Sequence, residues 1–306
     1  MAKFAFYTDL QLEGKAPRHR IDDYPEALVS KVAETYELAV AGGCDFLVFG
    51  GDFFQSHKIF SYEVINRVMD VICGCRLDTF AVLGQHDVRG YNPDTYRTST
   101  MAFMARHCGR FHVLWEPATV ADVRLWPCHV WNNLEGTKGE KMDGGVLNVL
   151  VAHQSLTNKK KMFDVVSTAD YGVGCPYRLV LSGHMHDGYD VHDVDGTTFC
   201  NPGGMARRAI DEIGRMPQVA VVEGEAGGSL SVELVGLRSA RPGAEVFGEG
   251  VAEVAREMDG FDPTAFVSDI EKFEVSSVDV FDLVRQAGRK EGVRDEVLAY
   301  IEGKRR

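Results

Sequence analysis

The sequence predicts an α/β fold of two facing mixed β-sheets flanked by helices, ending in a small helical tail. Three observations lead there. The first third alternates short apolar runs with amphipathic stretches, the pattern of parallel strands joined by crossover helices. Beyond residue 189, alternating segments between Gly-rich turns read as antiparallel strands. Clusters of chemically active residues closely follow apolar runs, and an open α/β sheet gathers such strand ends into one place.

The elements follow in order. Phe4-Ala5-Phe6-Tyr7 is a strand that stops just before Asp9. Residues 25–41 form a helix: Pro25 suits the first turn, Asp23 can cap it, and Gly42-Gly43 ends it. Its Leu28, Val32, Tyr36 and Ala39 recur on one face. Phe46-Leu47-Val48-Phe49 is the next buried strand and runs into Gly50-Gly51-Asp52. A second helix spans 61–73, with Val64, Ile65, Val68 and Ile72 inward, and a third strand over 79–83 leads to Gly84-Gln85-His86-Asp87. Residues 97–107 read as helical, and 111–131 as short strands rich in Val, Leu and Trp. The polar, Gly-rich stretch 132–145 reads as a mobile loop. Apolar runs at 146–151 and 179–181 precede His153 and Gly183-His184-Met185-His186. Antiparallel strands are expected in 189–200 and 218–235, with turns at 203–204 and 224–228.

This gives a catalytic domain over 1–237, a linker rich in Pro, Gly and charge over 238–261, and a helical tail over 262–306. Val293, Val297, Leu298 and Ile301 form an apolar stripe on that tail, which either packs on its own domain or docks a partner.

Composition narrows the function classes. The 33 basic and 45 acidic side chains leave a net charge of -12, which argues against nucleic-acid binding by surface charge alone. Bound divalent cations or local patches can override that balance. Candidate patches are Lys159-Lys160-Lys161, Arg207-Arg208 and Lys304-Arg305-Arg306, although a lysine run is more often a solvated face. Seven cysteines without a CxxC pair, two of them (Cys73 and Cys75) too close to bridge comfortably, suggest reduced thiols and a cytoplasmic setting. No apolar run has the length of a signal peptide or a bilayer span, so no membrane association is expected.

The clusters carry recognisable chemistry. Phosphodiesters repel nucleophiles and have poor leaving groups. Two divalent ions about 3.5–4 Å apart meet both problems by polarising the phosphoryl oxygens, lowering the pKa of a bridging water and aligning in-line attack. Such a centre needs a bridging carboxylate with oxygen and imidazole donors on either side. Asp52 suits the bridge because the preceding glycine permits a tight turn. Asp9 adds a carboxylate, and His153, His184 and His186 add nitrogen donors. Each motif alone is weak: Gly-Asp is commonly a turn, and a single histidine after a strand is commonly a loop residue. Their joint order and placement make the case. The other histidines lack that context and read as ordinary structural residues, with lining of the site left open for His57 and His129.

Residues 3–205 resemble the calcineurin-like metallophosphoesterase superfamily, whose motifs run D-x-H, G-D, G-N-H-D/E, H and G-H-x-H. Within it the chain most resembles SbcD-type DNA repair exonuclease subunits, especially phage-encoded ones. That narrower resemblance rests on Gly51-Asp52-Phe53-Phe54 with Lys58 after it, on Asn201-Pro202-Gly203-Gly204-Met205-Ala206-Arg207, and on the helical tail. The resemblance implies one metal held by Asp9, Gln11, Asp52 and His186, and another by Asp52, Gln85, His153 and His184. It implies that His86 stabilises or protonates the leaving oxygen while Asp87 orients the His86 ring. It also implies a DNA substrate, an SbcC-type coiled-coil ATPase as partner, and a homodimer. Gln11 stands where the family has His and Gln85 where it has Asn. Losing an imidazole at position 11 favours Mn²⁺ or Mg²⁺ over Zn²⁺. Two other readings stay open: a phosphodiesterase or phosphatase for small nucleotides, and a metal-poor scaffold on the same fold.

Overall fold

The computed structural model describes residues 1–248, apart from Phe60 and Met162. Strands β1 (Ala2–Tyr7), β2 (Phe46–Phe49), β3 (Thr79–Ala81) and β4 (Phe111–Val113) alternate with helices α1 (Tyr24–Ala41), α2 (Tyr62–Gly74) and α3 (Thr100–His107). Next come β5 (Ala118–Val120), β6 (Val123–Cys128), β7 (Leu147–His153), a minor parallel pair β8 (Leu156–Thr157) and β9 (Val166–Ser167), and helix α4 (Thr168–Gly172). The rest is β10 (Leu179–Gly183), β11 (Tyr189–Val194), β12 (Thr197–Asn201), β13 (Gln218–Gly224), β14 (Leu230–Gly236) and helix α5 (Gly243–Val246).

Two six-stranded sheets result, ordered β14-β13-β1-β2-β3-β4 and β11-β12-β10-β7-β6-β5. In the first, β1 to β4 are parallel and β13 and β14 join antiparallel. In the second, β6, β7, β10 and β12 are parallel, with antiparallel edges β5 and β11. The expected pair of mixed sheets is therefore present.

Side-chain alternation explains the layers. Phe4 and Phe6 on β1 point between the sheets, where they meet Phe46, Val48, Val149, Val151 and Leu181. Ala5 and Tyr7 point the other way, toward Leu28, Val32 and Val68 of α1 and α2. On the outer face of the second sheet, Leu150 and Val180 pack with Trp126, Tyr171 and Phe199. Central strands buried on both faces give continuous apolar runs, which is why β2 and β7 are so plain in the sequence. Asp23 caps α1 as expected, its carboxylate accepting from the Glu26 amide.

Several boundaries differ from expectation. The third strand stops at Ala81, two residues early. The helix expected over 97–107 is a 3₁₀ turn, Pro93–Thr98, followed by α3, because Ser99 is extended and caps the new helix through the Ala102 amide. The stretch 132–145 is anchored to the body: Leu134 is buried and Thr137 bonds both Tyr171 and Tyr177. Residues 238–248, expected to begin a linker, fold back on the body by burying Ala240, Val246 and Phe247. The remaining linker and the helical tail lie outside the described residues. Cys73 and Cys108 are joined, their Cα atoms 5.5 Å apart, so free thiols are found only at the other five cysteines. No helix among the described residues is long and apolar enough to cross a membrane.

Leu181, fully buried between the sheets, tests this packing. Leu181→Ala is expected to cost about 2–5 kcal/mol through lost transfer energy and the cavity left behind, read from the urea-unfolding midpoint.

Candidate metal centre

The C-terminal ends of β1, β2, β3, β7 and β10 lie at one rim, so residues far apart in sequence meet there. Asp9, Asp52 and His153 are fully buried and offer ligand atoms within 4.8 Å of one another. Gly183 pairs with His153 across the β7–β10 ladder, which brings His184 alongside: the two rings sit edge to face at 5.1 Å.

The backbone is bent to do this. Asp9 (φ 50°), Gln11 (φ 44°), Asp52 (φ 56°) and His184 (φ 75°) all occupy the left-handed region. Non-glycine residues rarely do so without a compensating reason, and functional sites are where such strain collects. Two glycines clear the space. A Cβ at Gly84 would overlap the Asp52 carboxylate and come within 2.6 Å of His153 Nε2. One at Gly183 would strike the Gly50 carbonyl and the Thr8 hydroxyl.

The donors fall into two groups. In one, Gln85 Oε1 lies 3.0 Å from His153 Nε2 and 3.1 Å from His184 Nδ1, while His153 Nε2 is 3.4 Å from Asp52 Oδ2. His153 Nδ1 lies 2.7 Å from the Gly50 carbonyl and donates to it, which points Nε2 toward the carboxylate. In the other group, His186 Nε2 lies 3.4 Å from Asp9 Oδ1 and 3.0 Å from the Gln11 amide nitrogen. Turning that amide over brings its oxygen to the same place.

Asp9 Oδ2 accepts from the Thr8 hydroxyl and the His184 amide, and Asp52 Oδ1 accepts from the His86 amide. The remaining oxygens, Asp9 Oδ1 and Asp52 Oδ2, are buried without a hydrogen bond. A buried carboxylate oxygen with no donor is costly, and a cation satisfies it directly. The donor set of carboxylates, amides and imidazoles therefore fits a hard or borderline divalent ion.

Charge in the centre is balanced by imidazoles. Burial disfavours charge on His153, but the Asp52 and Asp9 carboxylates outweigh it and push the ring up to about 9. Burial likewise opposes charge on His186, while Asp9 and Glu212 push it up to about 10. Burial and the neighbouring His153 push His184 down to about 4. Burial raises Asp9, yet His153 and His186 hold it below the usual carboxylate range.

The other expected site residues have definite places. His86 is partly exposed at the mouth of a cavity of about 500 Å³, with Nε2 3.9 Å from Asp52 Oδ2. Asp87 makes its hydrogen bonds to backbone: it accepts from the amides of Asp52, Phe53 and Gly84, none of them on the His86 ring. Its role in this geometry is to clamp the β2 and β3 loops together. Burial and Asp52 push its own carboxyl up to about 7, against the pull of those amides. His129 accepts the Leu83 amide at Nδ1 and so steadies the β3 loop; His57 is not among the cavity-lining residues.

Sequence reasoning missed the layer behind the ligands. Glu212 sits 3.5 Å from His186 Nδ1, accepts from the amides of Arg208 and Ala209, and is drawn down to about 2: burial opposes this, but His186 and Arg215 prevail. Arg207, offered as part of a basic patch, is buried and donates to the Arg215 and Arg241 carbonyls. Arg20, Lys31 and Arg215 likewise donate to carbonyls of residues 204–207. That turn in turn donates from Met205 and Ala206 to the Thr8 and Asp9 carbonyls, so it seats the Asp9 loop. Lys159 and Lys161 both pair with Asp187, and Lys161 and Arg208 line the cavity.

Fold and site define an α/β phosphoesterase with a candidate centre for divalent metal. The model of the calcineurin-like phosphoesterases matches residues 2–188, and the chain belongs to that family. No curated protein matches the chain. Among solved structures it is similar to a dimetal phosphatase from Danio rerio (10% identity, 76% of this chain and 99% of that one, TM-score 0.49). It is also similar to TT1561 of Thermus thermophilus (10% identity, 76% and 98%, TM-score 0.48) and to GAP50, the anchor in the inner membrane complex of Plasmodium (12% identity, 78% and 86%, TM-score 0.49).

Two outcomes are expected. Histidines of the unfolded chain titrate near 6.5, so the raised values of His153 and His186 stabilise the metal-free protein fully below that pH. This stabilisation fades as pH rises through about 9 and 10. A divalent ion displaces those protons, so the gain in Tm on adding Mn²⁺ should grow between pH ~6.5 and ~9. Melting curves with Mn²⁺ or chelator across that range check the sign. Separately, Gly84→Ala should abolish the calorimetric signal of Mn²⁺ binding, because the new methyl occupies the space of the Asp52 carboxylate.

Proposed function

We propose that the protein is a metal-dependent DNA nuclease, an SbcD-type subunit that works with an SbcC-type coiled-coil ATPase. The observation that carries this reading is the pair of buried oxygens, Asp9 Oδ1 and Asp52 Oδ2, which make no hydrogen bond and each lie 3.4 Å from an imidazole nitrogen that also meets a glutamine amide. Donor atoms that share an octahedral ion at about 2.1 Å lie about 3 Å apart. The spacings around Gln85, His153 and His184, and between Gln11 and His186, are of that size.

In this reading Asp9, Gln11, Asp52 and His186 hold one ion, and Asp52, Gln85, His153 and His184 the other, with Mn²⁺ preferred and Mg²⁺ accepted. Bound ions there supply Lewis-acid polarisation of the phosphoryl oxygens and an activated water for in-line attack. The chain's own residues do the rest. His86 reaches the cavity mouth next to Asp52 and delivers a proton to the leaving oxygen. Asp87 acts at one remove, holding the Asp52 and Gly84 loops in register. Lys161 and Arg208 line the cavity but are paired with Asp187 and Glu13, and Asp211 and Glu212 line it too, so bound cations would have to supply the positive field for a phosphate. The ATPase partner supplies the broader basic surface, a homodimer is the working assembly, and host cytoplasm is the setting for a phage-encoded chain.

With Mn²⁺, the protein with its ATPase should degrade linear DNA. His86→Ala should lower kcat by about 10²–10⁴-fold while calorimetric Mn²⁺ affinity stays within a factor of two or so. Uncut DNA under these conditions, with hydrolysis of bis-p-nitrophenyl phosphate retained, would replace the nuclease by the small-nucleotide reading. Absence of bound Mn²⁺ at millimolar concentration would leave only the scaffold.

A further inference from the structure

We propose that an aromatic cleft beside the catalytic loop binds an unpaired nucleobase of single-stranded nucleic acid; this deepens the nuclease reading and rests on it for the choice of ligand. All three tryptophans of the chain, Trp115, Trp126 and Trp131, line one cleft of about 280 Å³ together with His129 and Tyr177. That volume lies at the small end for ligand pockets and suits one planar ring system better than a whole nucleotide.

The walls are built for a flat ligand. Trp131 stacks on His129 at 4.8 Å and 27°, and Trp115 leans against both rings at 6.5 and 5.5 Å. Tyr96 meets Trp115 edge to face at 5.0 Å. The opposite wall is fixed by hydrogen bonds: Trp126 donates to Asn148 Oδ1 and Tyr177 donates to the Thr137 carbonyl, both at 3.0 Å. A preorganised cleft loses little freedom on binding. Trp126, Tyr177 and His129 are buried and belong to the packed body, whereas Trp115 is 51% exposed and leaves one ring face open at the cleft.

His129 supplies the polar handle. Its Nδ1 accepts the Leu83 amide at 2.9 Å, so in the neutral ring Nε2 carries the proton. The residue is only 4% exposed and Nε2 makes no hydrogen bond. Burial pushes the ring down to about 4, against the pull of the nearby Leu114 carbonyl, which lies outside hydrogen-bond geometry. A buried donor without an acceptor is destabilising until something supplies one. A nucleobase offers both a π-face for stacking and acceptors along its edge.

Position completes the argument. Leu83 immediately precedes Gly84-Gln85-His86-Asp87, and Gln154, next to His153, donates to the His129 and Asn132 carbonyls. Arg97 shares an adjoining recess with Tyr96 and Trp115, where it can meet the phosphate of the same strand. Bases stacked inside a duplex cannot enter such a cleft, so it selects unpaired ones.

The test uses the full-length protein without added divalent ion, so that nothing turns over. Oligothymidylate is titrated while intrinsic tryptophan fluorescence is read, against an abasic strand of equal length and phosphate count. Saturable quenching by oligothymidylate is expected, with an apparent affinity at least about fivefold above that of the abasic strand. By anisotropy of a labelled strand, Trp115→Leu and Trp131→Leu should each weaken binding about tenfold. Equal affinity for both strands, or full affinity in both variants, overturns the proposal. Cleavage with Mn²⁺ but no preference for bases removes the cleft and leaves the nuclease. Base-dependent quenching without cleavage under Mn²⁺ does the reverse.

Discussion

Two carboxylates, Asp9 and Asp52, are sunk to zero exposure at the rim where five strands end. Everything around them answers that single electrostatic demand. Each aspartate satisfies one oxygen internally, through Thr8 and His184 on one side and His86 on the other, and each leaves one oxygen for something positive. The imidazoles of His153 and His186 lean toward charge for that reason, and Glu212 backs His186 in turn. An apolar sheet core could not tolerate this pair without such a shell.

The same demand explains the backbone. Left-handed conformations at Asp9, Gln11, Asp52 and His184, and bare glycines at 84 and 183, are unfavourable choices for folding alone. They are tolerated because the strands beneath are held on both faces by hydrophobic packing. The rigid part of the fold thus underwrites the strained part, and Asp87 stitches the strained β2 loop to the β3 loop.

Much of this was legible in the sequence, and the reason is local. Strands buried on both faces write unbroken apolar runs, as at Phe46–Phe49, and the active groups follow within a few residues. The alternation of strand and helix then dictates which strand ends share a rim. What stayed hidden depends on contacts between distant segments. Glu212 looks like an ordinary surface acid, and only the fold brings it behind His186. The family resemblance implied that Asp87 orients the His86 ring, yet its carboxylate turns back to the β2 loop. Arg207 reads as a surface cation until β12 and β13 carry it inside. The joining of Cys73 to Cys108 and the burial of Phe247 likewise follow from packing that spacing does not encode.

The turn at residues 204–207, gripped through its carbonyls by Arg20, Lys31 and Arg215, has a consequence for synthesis on the ribosome. Asp9 emerges early, but the segment that seats its loop, and β13 which flanks β1, emerge some two hundred residues later. During that interval the nascent chain carries an unfinished β1 edge and an acidic loop without its buttress. Assembly of the centre is therefore a late event, timed by the C-terminal strands rather than by the segment that bears most of its ligands.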